Sequence, residues 1–310
     1  MSFNLHQPPA YRYSGPIFDA HCHFSTPEAT ERMIRAGELY GVTRWVGICR
    51  VEEVPAFRER FGRRAAFTIW LDHRLPADAP GFVKTQLDIV RQTLEIGGRC
   101  IKFWYKPEYN QRSGLFFDHP RLDPVFRAIE EAGLPVLVHI ADPDVWWRNR
   151  YSDPAKFEAK RFTYRQLTNT LERFSRLSVL VAHLGGWPEN LPFLTDLLNR
   201  YPNCHLDTSG TKWIARELSA KPAEARDFII RYADRLLFGS DLVAWDHADF
   251  EHHCSRYWVH RHLYERNERV PSPIEDPDAD GPVQVVGLDL PDSVLQRLYL
   301  ENARRFFRLE

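Results

Sequence analysis

Two histidines one residue apart close the first apolar run of the chain, Ile17-Phe18-Asp19-Ala20-His21-Cys22-His23. Alternate residues of a strand point to the same side, so both imidazoles can reach one metal ion. Three later apolar runs stop just as abruptly: Val136-Leu137-Val138 at His139, Val179-Leu180-Val181-Ala182 at His183, and Leu236-Leu237-Phe238-Gly239-Ser240 at Asp241. Imidazole nitrogens with a carboxylate form a donor set suited to zinc, manganese or iron. Each residue alone also has a bland reading, as an ordinary core or surface histidine or as the cap of the turn that follows. Jointly they carry weight, provided one fold gathers these strand ends.

The chain punctuates itself in a way that supplies such a fold. Short runs rich in β-branched or aromatic residues occur eight times, at 17–23, 44–50, 66–71, 100–104, 135–140, 178–183, 203–208 and 235–241. Helical spacing fills 30–40, 82–95, 124–132, 164–174, 191–200 and 223–232. Strands alternating with helices predict a parallel sheet. Eight of them, with no GxGxxG loop after the first, favour a closed (β/α)8 TIM barrel over an open Rossmann sheet. In that barrel the C-terminal strand ends converge on the active site. The 310 residues suit a single barrel domain, 1–310. Residues 242–288 exceed a simple loop and read as an insertion after strand 8, over the site, with a Pro/Asp-rich irregular second half at 271–282. A last helix is expected over 291–307.

At this point the chain resembles the amidohydrolase-related branch of the amidohydrolase superfamily, which includes aminocarboxymuconate-semialdehyde decarboxylase, aromatic carboxylate decarboxylases and pyrone-dicarboxylate lactonase. The resemblance runs over nearly the whole chain. It takes in Asp19-Ala20-His21-Cys22-His23, His139, Ala182-His183-Leu184-Gly185-Gly186, Leu206-Asp207-Thr208-Ser209-Gly210, Gly239-Ser240-Asp241 and Glu301-Asn302-Ala303-Arg304-Arg305-Phe306. It implies that His21, His23, His139 and Asp241 hold one divalent metal, zinc ahead of manganese or iron. It further implies that His183 orients or polarises the substrate or a water, and that Asp241 also shuttles the proton. Such a metal acidifies water and the carboxylate beside it takes a proton, so hydrolysis of an ester, lactone or amide in a small carboxylated molecule is the expected reaction. Non-oxidative decarboxylation on the same ligands is the alternative. A non-catalytic binding barrel is a third reading, which the intact constellation disfavours.

Lys102 closes the fourth run where binuclear relatives carry a carboxylated lysine. Three readings stay open for it: a bridging ligand, a cation for a substrate carboxylate, or a structural ion pair. The branch is mononuclear, so Lys102 stays outside the metal set and joins Trp104 and Arg148 as the expected substrate-binding residues. Asp142 and Asp144 follow His139 closely enough to fix a histidine tautomer or to cap the next segment. His252, His253, His260 and His262 read as a solvated or partner-facing helix, and Cys22 as core.

Lys plus Arg total 41 and Asp plus Glu 42, for a net charge of -1, which gives no bulk electrostatic case for nucleic acid or membrane partners. Five scattered cysteines without a CxxC pair read as reduced. The first fifteen residues lack the basic and apolar regions of a secretory leader, and no apolar run reaches spanning length. The expectation is a cytoplasmic enzyme with a small-molecule substrate, and a two-fold homodimer on base rate.

Overall fold

β-Branched and aromatic side chains pack well on a pleated surface, and the computed structural model, which describes residues 3–310, places a strand in each of the eight runs. These are β1 (Ile17–His23), β2 (Val42–Cys49), β3 (Ala65–Trp70), β4 (Cys100–Trp104), β5 (Val136–His139), β6 (Val179–Val181), β7 (Cys204–Asp207) and β8 (Leu236–Leu237). Three short strands follow, β9 (Leu242–Val243), β10 (Arg269–Pro271) and β11 (Gln284–Val286). The first helices are α1 (Pro27–Leu39), α2 (Val54–Phe61), α3 (Phe82–Glu95), α4 (Pro107–Ser113), α5 (Asp123–Glu131) and α6 (Asp144–Asn149). Then come α7 (Lys160–Arg173), α8 (Leu191–Arg200), α9 (Thr211–Ala220), α10 (Pro222–Arg231), α11 (Phe250–Glu265), α12 (Asp292–Gln296) and α13 (Asn302–Phe307). Helices begin where a side chain satisfies an N–H of the first turn: Thr26 Oγ1 accepts from Ala29 N (3.3 Å), and Asn190 Oδ1 from Phe193 N (3.2 Å).

The chain forms two compact units. One comprises the chain up to Cys49, Pro55–Ala66 and Asp207–Glu310; the other comprises Arg50–Val54 and Phe67–Leu206. In the first unit β1 pairs in parallel with β2 on one side and β9 on the other. The end of β8 joins β1 through Ala20 N, which donates to Phe238 O (2.9 Å). Asn302 Nδ2 donates to Ala233 O (2.6 Å) and Leu236 O (2.7 Å), fastening α13 to the approach of β8. In the second unit β3 to β7 pair in chain order, all parallel. Trp104 stands opposite His139 in the β4–β5 register, and Ala182 N donates to Val138 O (2.9 Å). The ends of β4, β5 and β6 therefore lie side by side.

Residues 242–288 hold β9, α11 and the antiparallel pair β10–β11, with Val270 opposite Val285. Here one expectation is corrected. The histidines of α11 do not form a solvated face: His253 and His260 have no exposed surface and His262 is 5% exposed. The cause is packing on several sides, against α1, α9 and β11, with polar partners inside. Thr211 Oγ1 lies 3.0 Å from His260 Nε2, and Trp45 Nε1 donates to Tyr257 OH (3.0 Å).

This burial has a pH consequence. Neither ring nitrogen of His253 has a hydrogen-bond partner. Burial, with the positive fields of His252, Arg256 and Arg32, pushes His253 from the ordinary 6.5 down to about 3. Burial also takes His260 to about 3, against the opposing pull of Asp207. The unfolded chain binds these protons near 6.5 and the folded chain does not, so the contribution is fully present above 6.5 and is lost as pH falls toward 3. The melting temperature is expected to decline through that window. His253→Leu, which removes an unpaired polar ring, should flatten the decline and add about 1–2 kcal/mol near pH ~5. Thermal melts of both proteins across the range check this; parallel curves would show that His253 does not set the acid limit.

Candidate metal centre

The ligand-like atoms of the first unit come from β1 and from the turn after β8. His21 is fully buried, and its Nδ1 lies 2.8 Å from Asp207 Oδ2 and 3.0 Å from Ser209 Oγ. A carboxylate accepts only, so Asp207 places the His21 proton on Nδ1 and turns Nε2 toward Asp241 Oδ1, 3.4 Å away. His23 Nε2 lies 3.1 Å from the same oxygen. The three atoms all fall within 4.8 Å of one another. Two donors each about 2.1 Å from one tetrahedral ion lie roughly 3.4 Å apart, so two imidazoles and a carboxylate at these separations fit a divalent metal.

Backbone detail explains why Asp241 reaches them. A Cβ on Gly239 would meet His21 Cβ at 2.8 Å, so only glycine lets the chain pass this close to β1. Asp241 itself has φ 57°, the left-handed region that a non-glycine residue adopts at a cost, and its N–H donates to His21 O (2.7 Å). Beneath them the buried Asp19 accepts from Ser240 N (3.0 Å), Ser240 Oγ (2.6 Å) and Tyr257 OH (2.9 Å). Burial pushes Asp19 up to about 6 even though these hydrogen bonds pull it down.

The second unit holds the other predicted histidines. His139 Nε2 lies 2.9 Å from Asp142 Oδ1, and its Nδ1 lies 3.3 Å from His183 Nε2. Burial raises Asp142, but the His139 ring and the Tyr151 hydroxyl outweigh it and hold the carboxyl below its usual range. That hydroxyl sits 2.6 Å from Asp142 Oδ2 and 2.8 Å from Glu108 Oε2. His183 has φ 59°, and the loop after it returns against the end of β5: a Cβ on Gly186 would meet Ala141 O at 2.0 Å. Lys102 is buried, with its ammonium 5.9 Å from the Trp70 ring. It lines a small cavity of about 10 Å³ together with Trp104, His73 and Tyr109. Arg148 is exposed on α6.

With this geometry in hand, comparison with known proteins places the chain. Residues 106–309, more than half of it, match the family model described as Amidohydrolase. The chain belongs to the amidohydrolase family. No curated protein matches it by sequence. Among solved structures it is similar to an uncharacterised TIM-barrel protein from Bordetella bronchiseptica, at 15% identity, with 95% of this chain and 99% of that chain covered and a TM-score of 0.58. A Pseudomonas putida protein described as a 2-pyrone-4,6-dicarboxylic acid hydrolase gives 14% identity, 95% and 98% coverage, and 0.58. A 2,6-dihydroxybenzoate decarboxylase gives 14%, 96% and 99%, and 0.56. At such identities the likeness speaks for the fold, a TIM barrel, and the family match makes the chain an enzyme.

Within this amidohydrolase two participants had no assigned role from the sequence, Asp207 and Asp19. Asp207 ends β7 in Cys204-His205-Leu206-Asp207, so the rule that singled out the other strand ends applies to it as well. As the group that orients His21, Asp207 carries a prediction. Asp207→Asn should weaken metal affinity about 10- to 100-fold with the fold intact, as measured by competition against a chromophoric chelator. Unchanged affinity would mean that Ser209 alone suffices to orient the ring.

Proposed function

We propose that this amidohydrolase is a metal-dependent hydrolase that opens an ester, lactone or amide bond in a small carboxylated molecule. The observation that carries the reading is the meeting of His21 Nε2, His23 Nε2 and Asp241 Oδ1, with Asp207 behind His21. One divalent metal, zinc ahead of manganese or iron, is held by His21, His23 and Asp241, and by His139 as the family resemblance implies. A bound ion of this kind supplies Lewis acidity that polarises a carbonyl and acidifies water. Asp241 accepts the proton as water attacks and returns it to the leaving group. His183 orients the substrate carbonyl or the water.

Lys102 and Arg148 take substrate carboxylates by charge-assisted hydrogen bonds and Trp104 stacks on a planar ring. Two of the fold neighbours are named for carboxylated rings, 2-pyrone-4,6-dicarboxylic acid and 2,6-dihydroxybenzoate, which supports a substrate of that kind. The reading takes residues 1–310 as one barrel domain with 242–288 as an insertion over the site. It places a homodimer in the cytoplasm; among the described residues no helix is long and apolar enough to cross a membrane.

The deciding experiment is turnover of metal-loaded protein on a panel of lactones, esters and aromatic carboxylates in heavy-oxygen water. Hydrolysis puts the label into the product carboxylate. Carbon dioxide released from an aromatic carboxylate, with no label entering the product, overturns the hydrolase in favour of a decarboxylase on the same ligands. Folded protein that neither binds metal nor turns over any of them leaves only a binding barrel.

A further inference from the structure

Along α11 the residues His252, Arg256 and His260 are four apart, which sets them on one face of the helix. Both ends of that face are tied to the backbone around the candidate metal ligands. At the far end His260 Nε2 lies 3.0 Å from Thr211 Oγ1, which also lies 3.2 Å from Ser240 O, the carbonyl just before Asp241. At the near end the helix follows the loop 244–249, which leaves β9 where Ala244 N donates to His23 O (3.0 Å). Arg256 stands one turn from either histidine, roughly 6 Å along the axis.

Arg256 is half-buried, and its Nη1 donates to His252 O (3.1 Å) and Ser255 Oγ (2.9 Å). Both contacts use one nitrogen. Nε and Nη2, the pair that meets a carboxylate in parallel, are left without a partner among the described residues, and neither is sealed from solvent. Lys212, the residue after Thr211 at the start of α9, likewise has no carboxylate partner and is open to solvent. Asp249, the carboxylate whose field reaches Arg256, is exposed and already accepts from His252 N (2.6 Å) as the cap of α11. Burial pulls Arg256 from the ordinary 12.5 down to about 10, and Asp249 opposes this only in part. His252 records the same surplus of positive charge. Burial, then the fields of Arg256, His247 and Lys212, bring it from 6.5 to about 4 against the pull of Asp249. In the same loop Trp245, 47% exposed, stacks on His247 at 5.2 Å and presents an aromatic face to a planar ring.

We propose that Arg256, helped by Lys212, binds a carboxylate of the substrate, whose planar ring lies beside Trp245. The assignment rests on the reading of the chain as a hydrolase of small carboxylated molecules, and it names the side chains of the first unit that hold the acid group. The carboxylate accepts from Arg256 Nε and Nη2 and supplies the counter-charge that the protein leaves out.

The probe is benzoate, for which a Kd in the roughly millimolar range is expected with metal-loaded protein. Shifts of protein amide resonances should centre on residues around Lys212, His252 and Arg256. Benzamide has the same shape without the charge and should bind at least about tenfold more weakly. Arg256→Met exchanges a cation that has no ion pair for an apolar side chain of similar length. It should keep its metal and its fold, lose benzoate by about tenfold or more, and hold benzamide as the wild type does. Benzoate bound equally by Arg256→Met overturns the proposal and places the anion on the metal. Equal binding of benzoate and benzamide, shifts centred elsewhere, or no wild-type binding at about 20 mM overturn it too. The benzamide comparison and the position of the shifts use the wild type, so the test stands even if the variant fails to fold. Metal content and label entry are read separately: a protein that holds benzoate at these residues but neither binds metal nor turns over loses the hydrolase reading and keeps the anion site.

Discussion

His23→Ala is expected to strip the purified protein of its divalent metal, from about one per chain to a trace, and to lower kcat/KM by at least about a thousandfold, or roughly 4 kcal/mol of transition-state stabilisation. His23 Nε2 and His21 Nε2 both face Asp241 Oδ1, at 3.1 and 3.4 Å, and losing one imidazole removes one ligand of the proposed set and weakens the hold on the ion. His23 is the better choice than His21 for this test, because His21→Ala would also leave the fully buried Asp207 without its ring partner. Asp241→Asn supplies the companion. It keeps the shape of the side chain at a left-handed backbone position that asparagine tolerates well, yet removes both the charge and the proton acceptor. Elemental analysis of protein prepared without chelator, alongside melting curves, separates a lost ligand from a lost fold. One metal per chain in both variants, with unchanged affinity, would move the site away from β1 and β8.

Much of that site could be read in the chain because each strand announces its end. Val136-Leu137-Val138 can extend only while its side chains are apolar, and His139 stops the run at the rim; Asp241 closes its own run the same way. Helices Phe82–Glu95 and Leu191–Arg200 fall where the 3.6-residue period places them. What stayed hidden depends on partners distant in sequence. Asp207 looks like any strand-end carboxylate until His21 arrives 2.8 Å away. The histidines of α11 look wet because polarity in one dimension says nothing of Thr211 meeting His260 or of α1, α9 and β11 packing against the helix. The eighth run was expected as a strand to Asp241, but the regular strand ends at Leu237. Gly239 and the positive φ of Asp241 turn the chain there, and strain of that kind has no local signature in an apolar pattern. Arg148 follows the fifth strand closely in sequence, yet α6 leaves it exposed.

Stability should hinge on a pair that has no part in the chemistry. Arg261→Met is expected to cost about 3–5 kcal/mol, because the Glu265 carboxylate, with no exposed side-chain surface, would remain charged without its cation. Arg261 is a junction. Its guanidinium donates to Tyr40 O (2.6 Å), Tyr13 O (2.7 Å) and Glu265 Oε2 (3.0 Å), and its Nε to Glu265 Oε1. It also lies over the Tyr11 ring at 4.2 Å. One side chain thus ties the N-terminal segment and the end of α1 to α11, and Glu265 adds bonds from Tyr13 N (2.9 Å) and Tyr299 OH (3.1 Å). The charge, more than the lost packing, sets the expected cost, and a double variant isolates it. Arg261→Met with Glu265→Gln removes the stranded charge, keeps an amide oxygen to accept from Tyr13 N, and turns its NH2 to the Tyr299 hydroxyl, which can accept. It should therefore be more stable than Arg261→Met alone, by roughly 1–2 kcal/mol. Chemical denaturation of the two single variants, the double and the wild type gives the ordering directly. A double variant that unfolds no later than Arg261→Met would place the cost in the lost contacts to Tyr40 O and Tyr13 O instead. The junction would then act through hydrogen bonds to the backbone, with its ion pair incidental.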